Sequence, residues 1–149
     1  MLQNLIIYVN HWKRLYRQMF QPLSARYGLT QLEIDILLFL RNNPTYNTAR
    51  DITAMRGFAK SNVSQAVDRL RQRGYLAAEP EPSNRKVFRL ALQKDKQPCV
   101  EELVHRQELC FSVILQGFVP EERELLQQFL QRADHNIQNA LQREMKEIE

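Results

Sequence analysis

Between Thr48 and Leu92 the hydrophobic spacing changes once, and that change limits the fold more than any other feature of the chain. Thr48 can cap a short helix that carries Ile52 and Met55 and stops at Gly57. After a turn at Gly57-Phe58, a second helical stretch runs from about Lys60 to Arg73, with Val63, Ala66, Val67 and Leu70 on one side and Gly74 as its stop. Beyond Gly74 the period becomes two. Tyr75 to Glu79 and Lys86 to Leu92 read as strands, the second alternating Val87, Arg89 and Ala91 against Phe88, Leu90 and Leu92. Pro80, Pro82, Ser83 and Asn84 supply the turn between them. Two helices joined by a short glycine turn and followed directly by a hairpin make a winged helix-turn-helix.

Helices flank this unit on both sides. From Leu2 to Tyr27 apolar residues recur at steps of three and four (Leu2, Leu5, Val9, Trp12, Tyr16, Met19, Leu23, Tyr27), and Gly28 closes the segment. Pro22 lies inside that pattern and predicts a kink or a restart. Thr30 and Glu33 form a capping-box pair for a helix reaching Asn42, apolar on nearly every face and therefore central. A further helical pattern spans about Pro98 to Gly117. Pro120 then opens a last helix with acidic residues in its first turn and a stripe of Leu126, Phe129, Ala133, Ile137, Ala140, Met145 and Ile148.

The fold class is thus mainly α with a small β-hairpin. Residues 1–149 read as a single unit in which a winged-helix region, 28–94, is flanked by terminal helices, 1–27 and 98–149. A 149-residue monomer has little left to cover the terminal stripes, so they are expected to join two copies in a homodimer. The alternative is that they pack only on their own domain.

Charge is distributed unevenly. The formal net charge is +4, but residues 50–89 hold nine Lys or Arg against four Asp or Glu, whereas residues 99–149 hold five against ten. A basic middle suits a polyanionic partner, although a charge run is also the ordinary form of a solvated face. No apolar run approaches the roughly 20 residues of a membrane span. His11, Lys13 and Arg14 break any signal-peptide pattern at the start, so a cytoplasmic, membrane-free location is expected. Two cysteines are too few for a secreted disulfide framework.

In a winged helix the second helix enters the major groove with its N-terminal half, which must carry short polar side chains. Lys60, Ser61, Asn62, Ser64 and Gln65 meet that need: Asn and Gln can each make a two-bond pair with adenine, and Lys can reach guanine or phosphate. Arg69, Arg71 and Arg73 read as contacts to phosphate or solvent. At the hairpin tip, Asn84, Arg85 and Lys86 place an arginine where it can enter a narrow minor groove.

These stretches resemble the multiple antibiotic resistance regulator (MarR) family. The resemblance rests on Gly28-Leu29-Thr30, on Phe58-Ala-Lys-Ser-Asn-Val-Ser64, on Asp68 through Gly74-Tyr75-Leu76, and on Pro82-Ser-Asn-Arg85-Lys86 before Leu90-Ala-Leu92. It implies a homodimer joined by its terminal helices on a palindromic double-stranded operator. It further implies a repressor released by a small aromatic or lipophilic effector or by oxidation. The family's wing usually begins with an acidic residue that anchors an arginine, and Asn84 stands in that place here. Tyr8, Trp12 and Tyr16, with Phe20, lie near one side of the first helix, where the resemblance places an effector cavity; a plain core stripe is the other reading of the same residues.

Other chemistry is poorly supported. Cys99 and Cys110 lie about 16 Å apart on one helix and cannot bridge within it. His105 with Glu101 and Glu108 falls short of a structural metal site. No nucleophile elbow, phosphate loop, HExxH or CxxC motif occurs, so neither enzyme, cofactor nor metal is expected. The rival function is a winged helix that binds protein rather than DNA.

Overall fold

The computed structural model describes residues 2–148, with side chains described through 143. A 3₁₀ turn at Leu2–Asn4 leads into α1 (Leu5–Tyr27), followed by α2 (Gln31–Asn42), α3 (Ala49–Arg56), α4 (Lys60–Gln72), β1 (Leu76–Glu81) and β2 (Asn84–Leu92). A second 3₁₀ turn, Lys94–Lys96, precedes α5 (Gln97–Ile114) and α6 (Pro120–Ile148). The chain divides into two compact units, residues 1–110 and 111–149.

Within the first unit α2 is the central element. Ile34, Ile36, Leu37, Leu38, Phe39 and Leu40 are all buried, as continuous apolarity demands. Its start is fixed by the expected capping box: Thr30 accepts from the Glu33 N–H at 3.1 Å while the Glu33 carboxylate accepts from the Thr30 N–H at 3.0 Å. Thr48 and Asp51 cap α3 in the same way. Phe20 and Leu23 of α1, Ile52 of α3, Val63, Ala66, Val67 and Leu70 of α4, Leu90 of β2 and Leu103 of α5 close around α2.

Pro22 neither restarts nor divides α1, which is one helix from Leu5 to Tyr27. Gly28 ends it in the left-handed region at φ 61°, its N–H bonded to the Ser24 carbonyl, so the chain turns sharply into α2.

The hairpin differs from expectation at its tip. Both strands are longer, and the turn shrinks to Pro82-Ser83. Pro80 fits inside β1 because a two-stranded sheet is all edge and needs no N–H there. Regular pairing holds from Leu76↔Leu92 to Pro80↔Phe88, then shifts so that Glu81 faces Asn84. Arg85, Lys86 and Val87 of β2 therefore form a bulge, and Phe88, which alternates with Leu90 and Leu92, is 49% exposed whereas Leu90 is buried. The wing simply extends past the core that covers Leu90.

In the second unit, α6 begins where Glu122 accepts from the Val119 N–H at 3.0 Å and Arg123 donates to the Phe118 carbonyl at 3.1 Å. Among the described residues, none of 111–143 is buried, and Leu125, Phe129, Leu130, Ile137 and Leu141 of α6 are exposed. Met145 and Ile148 of the expected stripe lie outside the residues whose side chains are described. No helix of the described residues is long and apolar enough to cross a membrane.

Candidate nucleic-acid interface

The two faces of α4 separate cleanly. Val63, Ala66, Val67 and Leu70 are buried, while Lys60, Ser61, Asn62, Ser64 and Gln65 are all exposed. The separation follows from helical spacing, since apolar residues at steps of three and four define one side and leave the other to solvent. Ala59 precedes the helix in extended backbone and offers no side-chain acceptor. The first-turn N–H groups thus have no capping partner from Ala59 and point beyond the helix start.

Asn84, Arg85 and Lys86 are exposed at the far end of the wing. Asn84 Oδ1 accepts from the Lys86 N–H at 3.2 Å and shapes the tip locally. The wing is braced by Arg89, which bonds to Glu81 and donates to Asn47 Oδ1 at 3.0 Å. The Leu90 N–H also donates to the Asn47 carbonyl at 2.8 Å.

Between α3, α4 and the wing lies a cleft of about 260 Å³, lined among others by Arg50, Ser64, Asp68, Arg71, Lys86 and Phe88. It brings Ser64 of α4 and Lys86 of the wing to one concave surface and adds two exposed arginines. Arg50 was missed in the sequence. A cation in the first turn of a helix opposes the helix dipole, and that unfavourable placement was the available signal.

Two of the arginines read as phosphate or solvent contacts are exposed but bond to other parts of the protein. Arg69 Nε donates to Glu33 Oε1 at 2.7 Å, and Arg73 donates to the carbonyls of Gly28 and Tyr27 at 2.6 and 2.7 Å. Glu33 is 2% exposed, so its carboxylate requires the counter-charge that Arg69 provides.

The aromatic set on α1 divides by burial. Tyr8 and Trp12 are exposed, whereas Phe20 is fully buried and Tyr16 packs on it with ring centroids 4.6 Å apart. Tyr16 Oη accepts from Gln107 at 3.2 Å. Burial, with Asp35 nearby, pushes the Tyr16 pKa up to about 12, so the phenol stays neutral.

Cys99 and Cys110 are free and buried, and burial raises the pKa of both thiols, which disfavours the reactive thiolate. Glu101 is engaged by Arg41 at 2.7 Å, leaving His105 beside Glu108 alone, and no group of metal-ligating residues occurs among the described residues.

Residues 27–86, which contain the helix-turn-helix and most of the wing, match the model of the MarR family. Over that segment the chain is similar to the MarR family. A MarR protein from Peptoclostridium difficile superposes with a TM-score of 0.77 at 15% identity, over 91% of this chain and 88% of that one. A MarR family regulator from Listeria monocytogenes, solved with a 26mer DNA, gives 0.73 at 17% identity over 92% and 88%. Bordetella bronchiseptica BpsR, described with regulation of its DNA binding by 6-hydroxynicotinic acid, gives 0.67 at 22% identity over 87% and 98%. At these identities the likeness is one of fold, and the fold is that of MarR transcriptional regulators.

Proposed function

We propose that this chain is a regulator of the MarR family, a sequence-specific double-stranded DNA-binding protein that works in the cytosol as a homodimer on a palindromic operator. The observation that carries this reading is the exposed polar row on the first half of α4, set above a buried apolar face and beside a basic wing tip. Asn62 and Gln65 read base edges, and Ser61, Ser64 and Lys60 support them. Arg50, Arg71, Asn84, Arg85 and Lys86 hold the phosphate backbone or the minor groove. Selecting bound duplexes from a random pool tests this: an inverted repeat is expected, and recovery of unrelated sequences would contradict it.

The homodimer uses the apolar surfaces of α1 and α6. Leu5, Ile6, Tyr8 and Trp12 on α1 and Phe129, Leu130, Ile137 and Leu141 on α6 are exposed apolar side chains that a single chain leaves in water. Sedimentation at micromolar concentration is expected to show a dimer, and a monomer would contradict the assignment.

In this reading the protein is a repressor released by a small aromatic or lipophilic molecule held near Tyr8, Trp12 and Tyr16. Tyr16 supports that role by presenting a neutral, half-buried ring packed on Phe20, on the same helix as the exposed Tyr8 and Trp12. The wing contact has a separate test. Arg85→Ala is expected to weaken binding to many duplexes alike and to flatten the log–log salt slope by about one unit. Loss of discrimination at one base pair with non-specific affinity intact would place Arg85 on a base instead.

A further inference from the structure

Arg69 and Arg73 stand one helical turn apart on the C-terminal half of α4, and both reach back to the corner where α1 passes into α2. The Arg69 bond goes to a carboxylate that is 2% exposed and whose other oxygen caps α2 through the Thr30 N–H. Arg73 uses both terminal nitrogens on the Tyr27 and Gly28 carbonyls, at the end of α1, where acceptors lack intrahelical partners and a cation is favoured. The approach is close: a Cβ on Gly28 would lie 3.6 Å from Arg73 Nη2. The same corner is tied to α5, because Arg26 and the Tyr27 hydroxyl both bond to Glu102.

The apolar face of α4 does not by itself fix the angle at which the helix sits, because hydrophobic contact is non-directional. Two charge-assisted attachments one turn apart are directional, and together they resist both rolling and sliding of the helix. We propose that Arg69 and Arg73 are positioning residues for DNA reading: they lock α4 to the α1–α2 corner, so that Asn62 and Gln65 meet each half-site at one angle and one spacing. The inference rests on the reading of α4 as the recognition helix. It differs from a phosphate role for these arginines, since the bonds of Arg69 Nε and of both Arg73 terminal nitrogens go to the protein itself.

The test uses the full-length dimer and the variants Arg73→Ala, Arg73→Lys and Glu33→Gln, each checked for cooperative thermal unfolding. Glu33→Gln is the second route, because a residue 2% exposed cannot touch DNA. Binding is measured on the duplex selected by the wild type, on duplexes with altered half-site spacing, and on a scrambled duplex, across a salt series. Arg73→Ala and Glu33→Gln are expected to lose roughly 2- to 30-fold on the selected duplex, the range for residues that act without touching the ligand. They should tolerate altered spacing better than the wild type, keep affinity for scrambled DNA and keep the wild-type salt slope. Arg73→Lys should recover part of the loss by returning a cation to the end of α1. A slope flattened by about one unit, with equal losses on both duplexes, would make Arg73 a phosphate contact and overturn the inference. Unchanged affinity and spacing preference would overturn it as well. A wild type that binds no duplex would defeat the DNA reading itself, and the inference with it.

Discussion

Leu70→Ala is expected to lower the free energy of unfolding by about 2–5 kcal/mol, the largest stability loss foreseen for any replacement on α4. Leu70 is fully buried, and its carbonyl also accepts from the Tyr75 N–H at 2.9 Å, where the chain turns from α4 toward the wing. Truncation removes transfer energy and leaves a cavity that the packed helices cannot close fully. Denaturant unfolding measures the loss. A change below about 0.5 kcal/mol, the level of an ordinary surface replacement, would mean that this side of α4 is not core.

On the opposite side of α4 the largest effect should fall on binding instead. Asn62→Ala and Gln65→Ala are each expected to lose about 1–3 kcal/mol on the operator with little loss on random DNA, if each makes a two-bond contact to a base. The two positions are three residues apart and therefore neighbours on one helical face. Both are exposed, so unfolding should change little. Competition binding with operator and scrambled duplexes reads the difference. If both variants stay folded dimers and keep the wild-type preference, sequence is read by the wing or through DNA deformability.

The element order was legible because its signals are local. Gly28, Gly57 and Gly74 all take positive φ at or just beyond helix ends, and the Thr30 and Thr48 caps form as their spacing predicts. The faces of α4 were legible for the same reason. The partners of its arginines were not. Arg69 and Arg73 meet partners 36 and 45 residues away, and a local pattern gives no sign that a cation on an exposed helix will be drawn to a buried carboxylate or a helix end. Phe88 differs from Leu90 in burial for another reason: alternation pairs the two, but the length of core beneath the wing was invisible in the sequence. The aromatic stripe of α1 likewise held as a periodicity and divided only in space, with Phe20 buried and Tyr8 and Trp12 exposed.

The central claim is that the polar row of α4 and the basic wing tip meet duplex DNA, and its most direct measurement is the salt dependence of duplex binding. Each neutralised phosphate contributes about −0.9 to the slope of log affinity against log salt. With Arg50, Arg71, Arg85 and Lys86 from one chain and their copies from the partner, the account predicts a steep fall in affinity between low and moderate salt. The selected operator should remain tighter than random duplex throughout. Binding that hardly responds to salt, or no binding to any duplex at low salt, would contradict it and favour a winged helix that docks on protein.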